Sequence, residues 1–126
     1  MKHVNEAHCP SCENKLKDAH KQIIRLVKAV RKRDPSHHAS CIRRGKEEQD
    51  RAFALKRSQL KYPNSKHNWD PAEAVDLFKQ LPDGTYWLNK DDMIAIHQHL
   101  LKEGIVHDFG GNWVTFKDYA HFETKE

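Results

Sequence analysis

Ala74-Val75-Asp76-Leu77-Phe78 is the stretch that decides the fold. Four of its five residues are apolar, and Asp70-Pro71 before it and Leu81-Pro82-Asp83-Gly84 after it are turn sequences, so it reads as a short buried strand. Asp76 is out of place in such a run: an unpaired carboxylate is costly to bury, and a divalent cation beside it would remove that cost. Downstream, Thr85-Tyr86-Trp87-Leu88 reads as a second short strand. Asn89, with Asp92 three residues on, opens a helix through Met93, Ile96, His97, Leu100 and Leu101 that stops at Gly104. Residues 105–109, 112–116 and 119–123 are expected as three closing strands, separated by Gly110-Gly111 and Lys117-Asp118. Upstream, Leu16, Ala19, Ile23, Val27 and Val30 recur at helical spacing and predict one helix over 13–33, ended by Asp34-Pro35. A second, more charged helix is expected over 46–60. Helices first and strands later make an α+β fold, N-terminal helices packed on a small antiparallel sheet.

The chain has 126 residues, a length that suits one domain: a helical segment over 1–40 and the chemistry-bearing motifs over 41–126. Leu, Ile, Val and Phe number only 26, which allows a small core and no more. No apolar run approaches the roughly 18 residues that would span a bilayer, and Met1 to Pro10 has no signal-peptide core. Synthesis in the cytoplasm without membrane insertion is therefore expected. Three cysteines do not make a disulfide framework. Residues 1–66 carry 17 Lys and Arg against 7 Asp and Glu, whereas 67–126 carry 5 against 11. Such a basic half suits a polyanion: nucleic acid, an acidic lipid face or an anionic cell-wall polymer.

Ten histidines raise the question of metal. Three stretches could supply ligands: Ser65-Lys66-His67-Asn68, Ala74-Val75-Asp76, and Asp118-Tyr119-Ala120-His121-Phe122-Glu123. Catalytic zinc takes three protein ligands and keeps a fourth position open, so His67, Asp76 and His121 are a complete set for Zn2+. A carboxylate beside the water is then needed to move its proton; Asp118 is the first candidate and Glu123 its competitor. Cys9-Pro10-Ser11-Cys12 is a knuckle-like pair whose thiols read by default as reduced and non-ligating; the alternative is a second metal site that His37 and Cys41 could complete. His97 and His99 point in different directions on one helix and read as surface or packing residues. Trp69, Trp87 and Trp113 read as core or cleft-wall aromatics.

Ser65-Lys66-His67-Asn68, Pro71-Ala72-x-Ala74-Val75-Asp76-Leu77, Gly110-Gly111-Asn112-Trp113 and Phe116-x-Asp118-Tyr119-Ala120-His121-Phe122-Glu123 together resemble the zinc peptidases of the D-alanyl-D-alanine carboxypeptidase superfamily. The likeness is greatest to the phage L-alanyl-D-glutamate endopeptidases used as endolysins, and spans roughly Ile42 to Glu123. Phe109, Asn112 and Ala120 stand where Trp, Asp and Pro are usual; none is a ligand position. The resemblance implies a Hedgehog/D-alanyl-D-alanine-peptidase-like fold, with His67, Asp76 and His121 on zinc and Asp118 as the catalytic acidic residue. It also implies an arginine that holds the substrate carbonyl or carboxylate, falling on Arg44 five residues before Gln49, with Arg43 as a rival. The partner implied is the peptidoglycan stem peptide, met by a monomer that does not bind nucleic acid. Release to the wall would need another factor such as a phage holin. A D-alanyl-D-alanine carboxypeptidase or dipeptidase of the same superfamily would share every metal residue. A non-enzymatic, zinc-stabilised nucleic-acid-binding module is the reading from a different class.

Overall fold

The computed structural model describes residues 9–115 and 117–125. In chain order they form α1 (Pro10–Leu16), α2 (Lys21–Arg33), β1 (His37–Cys41), α3 (Lys46–Ala54), a 3-10 turn (Lys66–Asn68), β2 (Ala74–Gln80), β3 (Tyr86–Trp87), α4 (Lys90–Lys102), β4 (Asp108–Phe109), a second 3-10 turn (Gly110–Asn112) and β5 (His121–Glu123). The sheet is five-stranded and antiparallel, and β2 is its hub. β1 runs along one edge of β2, while β5 and β3 share the other edge, at its N-terminal and C-terminal ends, and β4 flanks β5. The fold is α+β, as the order of elements in the sequence suggests.

Alternation along β2 resolves the misfit of Asp76. Val75 and Leu77 face the core, where Phe109 and Phe122 join them and α2 and α4 cover them with Ile23, Leu26, Val27, Val30, Met93, Ile96 and Leu100. Asp76 therefore points to the opposite face. α4 begins as its sequence indicates, with Asn89 Oδ1 accepting from the Asp92 amide at 3.0 Å, and Gly104 ends it with φ +76°.

Several expectations need correction. The helix expected over 13–33 is two helices, because the chain opens at residues 17–20 to pair with Ala72: Ala72 N donates to Asp18 O and His20 N to Ala72 O, both at 2.8 Å. His20 then caps α2 through Nδ1. β1 starts at His37, inside the stretch 1–40 read as helical; its polar sequence conceals a strand that is buried by pairing rather than by apolar content. The strand expected over 112–116 is a 3-10 turn followed by irregular chain, in which Val114 is 94% exposed, and Phe116 lies outside the described residues. The first and third closing strands shrink to Asp108–Phe109 and His121–Glu123.

The helix expected over 46–60 ends at Ala54. Lys56 adopts φ 61°, its amide bonds to Phe53 O and the Arg57 amide bonds to Ala52 O at 2.8 Å, the paired closure of a Schellman motif. A left-handed residue with a side chain costs about 1–2 kcal/mol that glycine avoids. Lys56→Gly should therefore raise the unfolding free energy by about 0.5–1 kcal/mol in urea titration, part of the relief being offset by the freer unfolded chain.

Candidate metal centre

The site is written into the register of β2. Asp76 stands opposite Cys41 on β1 and opposite His121 on β5, so the three side chains form a row across one face of the sheet. Cys41 reaches that face because β1 has a bulge between Ala39 and Cys41: Ala39 pairs with Leu77 on the core face, and the extra residue, Ser40, turns Cys41 to the other. His67 comes from the 3-10 turn, which Ser65 caps by accepting from the His67 amide at 3.2 Å, while Asn68 Oδ1 accepts from Ser65 N at 3.1 Å.

His67 Nε2 and His121 Nδ1 each lie 3.3 Å from the same oxygen, Asp76 Oδ1. The imidazoles meet edge to face with centroids 5.1 Å apart. Two ligands bonded to zinc at about 2.0–2.1 Å and tetrahedral angles are separated by roughly 3.3 Å, so both edges that meet at Asp76 have the length such an ion requires. His67 Nε2 and Asp76 Oδ1 are buried and have no hydrogen-bond partner of proper geometry among the described residues, despite their proximity. Donor atoms of Asp76, Asp118 and His121 lie within 4.8 Å of one another, as do those of Cys41, His67 and Asp76. Asp76 is common to both groups, and the imidazole, carboxylate and thiol donors gathered around it are chemically suited to a divalent cation.

The far side of each imidazole is fixed. His67 Nδ1 donates to Ile42 O at 2.7 Å, leaving Nε2 as the lone-pair nitrogen. His121 Nε2 donates to Glu123 Oε1 at 2.7 Å, leaving Nδ1 free to ligate; Lys66 Nζ, 3.5 Å from Glu123 Oε2, steadies that carboxylate. Glu123 is thus engaged behind the ligand. Burial works against charge on His67, but the Asp76 carboxylate beside it prevails and holds the imidazole up at about 10; burial opposes ionisation of Asp76 as well, and the His67 and His121 charges hold its carboxyl far below the usual carboxylate range. A bound cation would take the place of those protons. Burial, followed by the Asp76 charge, pushes the Asp118 carboxyl up.

Arg44 faces this cluster and Arg43 does not. Arg44 Nη2 lies 3.5 Å from Asp76 Oδ2 and 3.7 Å from Cys41 Sγ, while Nη1 donates to Gln49 Oε1 at 2.8 Å. Gln49 is fully buried; its Nε2 donates to Leu60 O, and its Oε1 also accepts from Asn68. Arg43 reaches outward to Asp70 at 3.8 Å. The cluster floors an open cleft of about 1050 Å³, whose lining includes Leu60, Trp69 and Trp113, with Trp113 packed 5.0 Å from the His121 ring. Trp87 is elsewhere, on β3 against Lys79. His97 stacks on Phe109 and hydrogen-bonds His107 at 2.8 Å, a packing role. The sequence allowed His37 and Cys41 to complete a site with Cys9 and Cys12, but Cys41 Sγ lies 3.9 Å from His67 Nδ1, beside Asp76, and His37 binds Asp92 Oδ2 at 2.8 Å. No sequence pattern marks the bulge that moves Cys41.

Gly110 and Gly111 hold the loop that carries Asp118. A Cβ on Gly110 would strike the Asp118 carbonyl oxygen, and one on Gly111 would strike the rings of Phe109 and Tyr119.

No family model matches the chain, and no curated protein matches it. Among solved structures, the L-Ala D-Glu endopeptidase ChiX of Serratia marcescens is similar in fold, with a TM-score of 0.74 at 23% identity over 94% of this chain and 89% of that one.

If Glu123 orients His121, Glu123→Gln should weaken zinc binding by about ten-fold in competition with a chromophoric chelator, at unchanged far-ultraviolet circular dichroism.

Proposed function

We propose that the chain is a zinc-dependent peptidoglycan peptidase that cuts the stem peptide, with the L-alanyl-D-glutamate bond as its target and host lysis by a phage as its setting. The observation that carries this reading is the meeting of two imidazole nitrogens on one buried carboxylate oxygen at the floor of an open cleft. The similarity in fold to a protein named as an L-Ala D-Glu endopeptidase supports it, and so does the order of the motifs along the sequence.

A cation held by His67, Asp76 and His121 supplies Lewis acidity toward the scissile carbonyl and acidifies water at neutral pH. The residues of the chain do the rest. Asp118, close to Asp76 and His121, accepts the proton of the attacking water and delivers it to the leaving amine. Its raised pKa suits a group that must hold that proton between the two transfers. Arg44, with one guanidinium nitrogen fixed by Gln49, directs N–H groups at the substrate oxygen that becomes negative. No covalent acyl-enzyme is required. Arg44, Arg51, Arg57 and Lys66 all line the cleft, a charge pattern suited to a peptide bearing the free α-carboxylate of D-glutamate. Among the described residues no helix is long and apolar enough to cross a membrane.

Turbidity of outer-membrane-permeabilised cells should fall with the wild type, and the loss should stop with chelator and return with zinc. Asp118→Ala and His121→Ala should each abolish it, by about 10²-fold or more for the proton-transfer residue. Activity surviving in either variant would remove its assigned role. New N-terminal D-glutamate in digested peptidoglycan identifies the endopeptidase; free D-alanine would identify a carboxypeptidase instead.

A further inference from the structure

Outside the cleft, a second set of metal-capable side chains comes together. Cys9 precedes α1 and caps it, its Sγ accepting from the Cys12 amide at 3.3 Å. His38, on edge strand β1, brings Nδ1 to 3.3 Å from Cys9 Sγ and 3.6 Å from Cys12 Sγ. All three residues are nearly sealed from solvent, with Cys9 and Cys12 at 2% exposure and His38 at 4%, and their donor atoms lie within 4.8 Å of one another. Both thiols are free.

We propose that Cys9, Cys12 and His38 form a structural site for a thiophilic divalent cation, zinc foremost, which clamps α1 onto β1 and is independent of the cleft and its chemistry. Two sulfurs and one imidazole nitrogen are the borderline-soft donors that zinc selects. With Zn–S about 2.3 Å and Zn–N about 2.0 Å at tetrahedral angles, sulfur and nitrogen stand roughly 3.5 Å apart, which is the separation found here. The fourth position is left to a solvent molecule or a further donor. Arg31 Nη1 donates to the carbonyls of Pro35 and His37 and lies 3.1 Å from the same Nδ1, a contact that the cation would replace, leaving the guanidinium charge beside the thiolates formed on binding.

α1 gives the reason for such a clamp. Seven residues are too few for a helix to hold itself together, and among them only Cys12 is buried. A cation fastened to both cysteines and to a strand 26 residues further on would fix the helix at two points of its first turn. A redox pair is the main competitor for a Cys-x-x-Cys sequence. His38 Nδ1 lies within 3.6 Å of both sulfurs, a third donor that a shared cation uses and a disulfide does not.

The test uses the full chain loaded with Co2+ or Zn2+ and freed of excess metal. The wild type should hold about two equivalents, and both His121→Ala and the double variant Cys9→Ser/Cys12→Ser about one. Cobalt-loaded His121→Ala and Cys41→Ser should keep an intense near-ultraviolet thiolate-to-cobalt charge-transfer band that the double cysteine variant loses. One equivalent in the wild type, with its band unaffected by His121→Ala, would still support this site while removing the cation from the cleft. A band lost with Cys41→Ser, or absent from His121→Ala, would overturn the proposal whether or not the double variant folds. So would one titratable thiol, instead of three, in the denatured, unreduced wild type.

Discussion

The carboxylate of Asp76 sits on the hub strand of the sheet, 20% exposed, with two imidazoles directed at one of its oxygens and a guanidinium near the other. Burying an acidic group there is unfavourable unless opposite charge surrounds it, and the chain supplies that charge from three separate stretches, 41–44, 67 and 121. Those stretches can meet only if β1 and β5 keep their register on β2. A one-residue slip of β5 would turn His121 into the core and bring Phe122 out. The core and the polar site are thus two faces of one pairing scheme, each enforcing the other.

Around that carboxylate, side-chain freedom has been removed by neighbours that hold each functional group from behind. The Ile42 carbonyl and the Glu123 carboxylate select the nitrogen that each imidazole presents. Gln49 holds Arg44, and Asn68 holds Gln49 and the Arg44 carbonyl, linking the first polar loop to the turn that carries His67. A site with its orientation set in advance loses little entropy when it takes up a cation or a substrate. The narrow tolerance at Gly110 is part of the same design, since the backbone of the Asp118 loop lies where any side chain on residue 110 would be.

Much of this is legible in the sequence, and what is not has definite physical causes. The misfit of Asp76 in an apolar run, the stripe of α2 and the Asn89 cap are local signals, and each survives in the fold. β1 was not legible: His37-His38-Ala39-Ser40-Cys41 has no strand-forming side chains, and it is a strand because β2 offers it a ladder. The break at residues 17–20 is equally non-local, since the apolar spacing continues across it and only Ala72, more than fifty residues away, opens the helix. Arg43 and Arg44 are indistinguishable by type and differ by which side of one peptide they leave. The place of Cys41 depends on a single bulge.

That bulge also accounts for the use of one strand in two polar clusters. Without Ser40 as an extra residue, His38 and Cys41 would fall on opposite faces of β1 and only one of them could remain on the face it now has. With it, His38 meets the cysteines of α1 while Cys41, three residues on, meets Asp76. The charge asymmetry of the sequence has a related resolution. The basic first half contributes Arg44, Arg51, Arg57 and Lys66 to the cleft, and the acidic second half contributes Asp76, Asp118 and Glu123 to the same space. Folding sets the two halves against each other within one cleft, so the excess of cations in residues 1–66 has an internal purpose before any polyanion is invoked. A chain with only 26 large aliphatic and Phe side chains has little apolar surface from which to build stability, and converging polar donors of this kind are the means by which small scaffolds fasten elements that a core alone would leave loose.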